Sequence, residues 1–311
     1  MQQDDPSLPD LYATCRGHFI GMGVTALVYP LDEHRVLKYA FTTNENAYTD
    51  NQSLKDIQIE RIIYQRLGTH PRICKFICAA KRGIVLERLG IQLRRRLYDL
   101  HQEQQRPSYE QALKWSCQAA EGMAYIHHKG VIQGDFGGHN MLFDEHEDLK
   151  ITDFGGSSID GSRQLVSYET RSQRWNALEE TPSIQNELFA LGSAIYEIWT
   201  TVRPYHDLAD AEVETNYKIQ CFPKDVADLP VGNIVLRCWL GKYDTADQVL
   251  ADLKKLPSTE AETAEAAGTA EKAQPSAATF NPSYSSRIIV ALATTLMTGF
   301  ILTRLIRSRS T

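Results

Sequence analysis

The sequence lacks the cysteine spacing of a metal-ribbon or disulfide-framework protein. Its six cysteines fall at 15, 74, 78, 117, 221 and 238, and Cys74-x3-Cys78 has no matching second pair. Neither a zinc site nor a set of disulfides is expected, which fits a reduced compartment. The nine histidines show no ligand spacing either. A basic surplus is also missing. Thirty-three Lys and Arg stand against 39 Asp and Glu, a net charge of −6. The segment from Arg287 onward carries four Arg and no acid, leaving −10 for the rest. That balance argues against a nucleic acid partner. The opening stretch Met1 to Pro9 is polar and acidic without an apolar run, so no signal peptide is expected. What the chain does have is a hydrophobic fraction of 42% over 311 residues, ample for a sizeable core.

Its most informative stretch is Gln133-Gly134-Asp135-Phe136-Gly137-Gly138-His139-Asn140, followed by Asp153-Phe154-Gly155. An Asp five residues before an Asn, with a second Asp thirteen residues further on, is the spacing of a phosphoryl-transfer site. Such chemistry needs a loop Asp facing the attacking hydroxyl, here Asp135. It needs an Asn and an Asp reaching Mg²⁺, here Asn140 and Asp153. Upstream, Gly21-Met22-Gly23-Val24-Thr25-Ala26-Leu27-Val28 follows G-x-G-x-x-G-x-V with Ala26 at the third glycine. Small residues let a turn close over a triphosphate, and Val28 would lie under an adenine. Val36-Leu37-Lys38 reads as a strand that places Lys38 near the α and β phosphates. Apolar spacing at Ile59, Ile62, Ile63 and Leu67 predicts a helix over 54–67 that offers Glu60 as the partner of Lys38.

Further on, Arg174-Trp175-Asn176-Ala177-Leu178-Glu179 stands where an activation segment would end in Ala-Pro-Glu. A strongly apolar helix is predicted from Glu187 through Trp199. With these motifs in order, the chain resembles a eukaryotic-type protein kinase, closer to the tyrosine-kinase-like branch, over residues 11 to 256. The resemblance implies an α+β, bilobal fold, with a β-rich N-lobe over 11–88 and a helical C-lobe over 89–256. It implies ATP in the cleft under a hinge near Leu86 and Glu87, with Gly21, Gly23, Val28, Lys38 and Glu87 as its binding residues. Asp135, Lys38 and Glu60 would be the catalytic group, Asn140 and Asp153 the Mg²⁺ ligands, and a protein hydroxyl the acceptor.

The chain departs from the family at several points. Gln133-Gly134-Asp135 replaces His-Arg-Asp, so no cation adjoins Asp135 to hold a phosphorylated segment. Gly137 and His139 stand where the Ser/Thr and Tyr branches carry a Lys or an Arg; a protonated His139 could partly stand in for that cation, but a loop His is more often a plain polar residue. Glu187 replaces the helix Asp that caps the catalytic loop. Leu178 replaces the Pro of Ala-Pro-Glu, and no Arg follows Cys238-Trp239 to pair with Glu179. Arg94-Arg95-Arg96 reads as a solvated helix face. Two other readings stay open: a pseudokinase scaffold that binds nucleotide or a partner without transfer, and a small-molecule kinase of the aminoglycoside or choline type, which carries His-Gly-Asp-x4-Asn.

Composition changes at Pro257. Residues 257–285 are rich in Ala, Glu, Thr, Ser and Pro and read as a disordered linker. The first ten residues read as a disordered N-terminus. Ile288 to Thr303 holds 16 uncharged residues, eleven of them apolar. As a helix it is about 24 Å long, and Arg287 and Arg304 can snorkel at its ends. Residues 286–304 are therefore expected to form a transmembrane anchor, with 305–311 as a basic tail. The chain would then be tail-anchored with its kinase domain facing the cytosol. The short anchor and basic end resemble those of the mitochondrial outer membrane.

Overall fold

In the computed structural model, residues 7–15, 18–42, 46–175 and 182–257 are described. Asn176 to Glu179, the linker from 258, the anchor over 286–304 and the basic tail lie outside them, as do the first six residues. One unit runs from Met1 to Thr263; the other, Ala264 to Thr311, falls wholly outside the described residues.

Five strands make an antiparallel sheet: β1 (Gly21–Met22), β2 (Ala26–Pro30), β3 (Arg35–Ala40), β4 (Phe76–Ala80) and β5 (Gly83–Glu87). Their order is β1-β2-β3-β5-β4. Leu37, Ile84 and Val85 are fully buried, so the apolar run around Lys38 does form a central strand. One helix, α1 (Ala47–Leu67), packs on this sheet. It begins seven residues earlier than the apolar spacing predicts, because Asn46 caps it. The Asn46 side chain accepts the N–H groups of Tyr48 at 3.0 Å and Thr49 at 3.4 Å. Its buried face is Ile57, Glu60, Ile63, Tyr64 and Leu67, whereas Ile62 is half exposed. Gly68, at φ +63°, ends it in a conformation that glycine takes at least cost.

The remainder is helical, with short hairpins at its upper edge. The helices are α2 (Leu93–Gln102), α3 (Tyr109–His128), α4 (Ile184–Thr200), α5 (Asp210–Lys218), α6 (Gly232–Trp239) and α7 (Ala246–Leu253). A capping box opens α3, with Ser108 and Gln111 each accepting the other's N–H at 3.2 Å. Ser183 caps α4, so that helix starts three residues before Glu187. Every residue of α4 from Glu187 to Thr200 is buried, as an apolar stretch without a polar face requires. Buried indoles find acceptors: Trp199 on Ser116 and Trp239 on Ser193. The short strands β6 (Val131–Ile132), β7 (Met141–Phe143), β8 (Leu149–Ile151) and β9 (Ser158–Ile159) pair as β6 with β9 and β7 with β8. They fix the loops that carry Asp135, Asn140 and Asp153. The expected division into a sheet-rich and a helical lobe is observed. Among the described residues no helix is long and apolar enough to cross a membrane.

Candidate active site

A cleft of about 670 Å³ runs between the sheet and the β6–β9 loops. Gly21, Gly23, Val28, Lys38, Glu87, Asp135, Asn140 and Asp153 all line it, and Glu60 stands behind Lys38. Residues up to 132 positions apart in sequence therefore meet in one concavity. The roof is the β1–β2 hairpin, closed by Gly23 N–H on Ala26 C=O at 2.8 Å. Gly21 and Lys38 both pair with Val28 across the sheet.

Lys38 is held between two carboxylates. Its Nζ lies 2.7 Å from Glu60 Oε2 and 2.8 Å from Asp153 Oδ1. Burial alone would pull the Lys38 pKa down, but Asp153 and Glu60 outweigh it and hold the ammonium above its ordinary value. Burial raises the Glu60 carboxyl, and the Lys38 charge opposes that rise only in part. For Asp153 burial also pushes upward, yet Lys38 prevails and the carboxyl sits below its usual range. Phe154 is fully buried against Tyr64 of α1, ring centroids 5.2 Å apart, and its N–H donates to Glu60 Oε1. Helix, lysine and Asp-Phe-Gly turn thus lock one another.

The loop that carries Asp135 is held from below. Glu187, fully buried, accepts Gln133 N–H at 3.2 Å, Gly134 N–H at 3.0 Å and the Tyr168 hydroxyl at 2.8 Å. Glu187 in place of the family's Asp keeps the loop capped: with one added methylene it still reaches both loop amides. Gln133, for which the sequence suggested no role, donates from Nε2 to the carbonyls of Thr152 and Asp153. It ties the Asp135 loop to the Asp153 loop. Asn140 Nδ2 donates to the Asp135 carbonyl and to Asp135 Oδ2 at 3.1 Å.

Two other readings need correction. Arg94 is not part of a solvated face. It makes two bonds to Glu197, from Nε at 2.8 Å and Nη2 at 3.2 Å, and Nη1 reaches Glu169 at 2.7 Å. Arg96 pairs with Glu147, and only Arg95, on Asp99, stays well exposed. Charge spacing on α2 alone could not reveal partners 75 and 103 residues away. Nor is His139 a plain loop residue: its Nε2 is 3.0 Å from Asp135 Oδ2.

Glu87 lines the cleft, but its carboxylate is bound by Lys150 at 2.8 and 2.9 Å and by Lys75 N–H. Its N–H is taken as well, by Lys75 C=O at 2.9 Å. Beyond it, Leu89 also lines the cleft, and among the described residues its N–H has no acceptor. No residue pattern points to that donor, because backbone availability has no residue signature. The six cysteines are free. Cys74 lies on the cleft wall, where burial pushes its thiol up to about 12 and leaves it unreactive.

Could the site hold Mg²⁺? Among the described residues no three His, Cys, Asp or Glu side chains form a closed metal cage. Mg²⁺ in phosphoryl-transfer sites instead takes one or two side-chain oxygens and completes its shell with phosphate and water. Asp153 Oδ1 takes Lys38 and Gly155 N–H, which leaves Oδ2 without a hydrogen bond among the described residues. Asn140 uses only its Nδ2, so its oxygen is likewise open. The two hard oxygens on one cleft fit the ion.

Residues 15–238, well over half the chain, match the family described as the protein kinase domain. A serine/threonine/tyrosine-protein kinase of Arabidopsis thaliana is 26% identical over 187 residues, 55% of this chain and 46% of the relative. A serine/threonine-protein kinase of the same plant is 28% identical over 155 residues, covering 47% and 27%. Tyrosine-protein kinase Fer of Homo sapiens is 25% identical over 250 residues, covering 72% and 28%. The chain spans less than half the length of each of these relatives. Matched family, bilobal fold and cleft agree, and the chain belongs to the protein kinase domain family.

Proposed function

We propose that this chain transfers the γ-phosphoryl group of Mg-ATP to a protein hydroxyl. The observation that carries this reading is the Glu60–Lys38–Asp153 triad facing Asp135 across one cleft. Lys38, steadied by Glu60, would bind the phosphates, and the Gly21–Gly23 turn would close over them. The Leu89 N–H, without an acceptor among the described residues, is a donor of the kind a purine ring nitrogen accepts. Asp153 and Asn140 would hold Mg²⁺, whose charge would offset that of the phosphate oxygens. Asp135 Oδ1 has no hydrogen bond among the described residues; Asn140 Nδ2 bonds Oδ2, and His139 Nε2 lies 3.0 Å from that same oxygen. Oδ1 would orient the acceptor hydroxyl and take its proton.

A scaffold reading draws on the missing loop cation at Gly134 and Gly137. It requires nucleotide or partner binding without transfer. Thermal shift separates binding from no binding: Mg-ATP should raise the melting temperature of the full chain, and Lys38→Ala should abolish the rise. Comparing phosphate transfer by wild type and Asp135→Asn then decides between enzyme and scaffold. A small-molecule kinase would instead phosphorylate choline or an aminoglycoside supplied in that assay.

We further propose that Ile288 to Thr303 tethers the domain to a membrane, with the cleft on the cytosolic side. The support is the uncharged stretch between Arg287 and Arg304. Tethering would raise the effective concentration of acceptors at that surface. The mitochondrial outer membrane is the surface such a short, arginine-flanked stretch suits.

A further inference from the structure

Two buried polar atoms face each other beside Asp135. His139 Nδ1 and Glu169 Oε2 each lack a hydrogen bond among the described residues, and they lie 3.6 Å apart. On its other edge the same imidazole reaches Asp135 Oδ2 at 3.0 Å. The ring therefore stands between the Asp135 carboxylate and a carboxylate of the segment that follows Asp153-Phe154-Gly155. Glu169 is itself fixed, because Arg94 Nη1 bonds its Oε1 at 2.7 Å while Glu197 holds the same guanidinium twice. Arg203 adds a looser contact at 3.7 Å. Burial pushes the Glu169 carboxyl upward, but Arg94 overrides it and holds the group below its usual range.

The place of the ring depends on a neighbour. A Cβ at Gly137 would lie 2.9 Å from both Cε1 and Nδ1 of His139. Any side chain there would push the imidazole off Asp135. The two departures from the family pattern, Gly137 and His139, are thus one arrangement: the first makes the space that the second fills.

We propose that His139 and Glu169 are positioning residues for Asp135, with Glu169 acting through the imidazole. The proposal rests on the phosphoryl-transfer reading for its kinetic consequence, though not for its geometry. Asn140 holds Oδ2 of Asp135 from one direction and His139 from another, which fixes the plane of the carboxylate and aims Oδ1 at the acceptor. Two buried polar atoms 3.6 Å apart need only a small closing movement to become a hydrogen bond. Such contacts in a ligand-free site shorten when the reactants are seated. Without Glu169 the ring is free to rotate about its side-chain bonds, and a carboxylate misplaced by about 1 Å costs up to roughly a hundredfold in rate.

The test is a double-mutant cycle in the full chain, using Mg-ATP with casein and a Glu-Tyr copolymer as acceptors. Glu169→Ala and His139→Asn should each lower kcat by between about tenfold and a hundredfold, with KM for ATP unchanged. Because Glu169 acts through the ring, the double variant should be no slower than His139→Asn alone. If Glu169→Ala costs the same factor in both backgrounds, it acts elsewhere and the proposal is overturned. A second readout is independent of turnover. The His139 ring signals in a long-range proton–nitrogen spectrum should shift in Glu169→Ala and in Gly137→Ala, and stay in place in Arg95→Ala. Unchanged ring signals in Glu169→Ala would overturn the proposal. Absence of transfer by the wild type would refute the activity alone and leave the ring signals to decide the pairing.

Discussion

A Cβ on Gly134 would lie 2.4 Å from Cδ of Gln164. The two residues are close because Gln164 Nε2 donates to the Gly134 carbonyl at 3.1 Å and to Val166 C=O at 2.6 Å. Gly134 also has φ +82°, a conformation costly for any other L residue. The position where the family pattern has an arginine is therefore filled here by a side chain of the segment. Restoring the arginine is expected to harm the protein. Gly134→Arg should lower unfolding free energy by about 1–3 kcal/mol, measured by urea denaturation, and should not raise phosphate transfer. A more active Gly134→Arg protein of unchanged stability would contradict this packing.

Glu187 is the anchor of the Asp135 loop. Glu187→Ala leaves Gln133 N–H, Gly134 N–H and the buried Tyr168 hydroxyl without their acceptor. Each such group costs about 1–3 kcal/mol, so a loss of at least about 3 kcal/mol is expected. The shorter Glu187→Asp cannot reach all three donors and should lose about 1–2 kcal/mol, although Asp is the residue of the family pattern. Denaturant midpoints of the three proteins check the order wild type, Asp, Ala.

Asp252 gives the pH dependence a definite sign. Hydrogen bonds from Lys255 and Tyr243, with Arg237 alongside, hold its carboxyl down at about 2. The unfolded chain takes up that proton near pH 4. This stability is therefore fully present above about pH 4 and is lost as pH falls toward about 2. Asp252→Asn should melt below wild type at pH 7, and the difference should shrink through that window. A gap that stays constant between pH 7 and 2 would refute the linkage.

The tether makes a prediction of place. Full-length protein should pellet with membranes and resist carbonate extraction. Leu296→Arg adds about 2.5–3.5 kcal/mol to insertion and should release it, as should truncation after residue 285. Wild-type protein that remains in the supernatant would refute the tether and leave the cleft untouched.

Much of the site was legible in the sequence because phosphoryl transfer fixes residue types at fixed separations. Lys38, Glu60, Asp135, Asn140 and Asp153 converge where that order required, and the apolar α4 is buried on every side. The missed features depend on partners distant in the chain. Arg94 reads as solvated until Glu169 and Glu197 fold against it. Gln133 and Glu187 read as eroded positions until their longer side chains are seen to reach the same loops. His139 reads as ordinary until the space above Gly137 is counted. Helix starts were misplaced by three to seven residues, because single caps at Asn46 and Ser183 outweigh the apolar period.

Phosphoryl transfer is expected to depend on Asp135. The most direct measurement follows labelled γ-phosphate from Mg-ATP to casein and a Glu-Tyr copolymer, for the full chain and for Asp135→Asn at equal concentration. The variant keeps a side chain of the same size, so folding and ATP-induced thermal shift should match wild type. Transfer by wild type, with a fall of about 10²–10⁴-fold in the variant, is the expected result. Equal incorporation by both proteins, or none by wild type despite a Mg-ATP thermal shift, would contradict it.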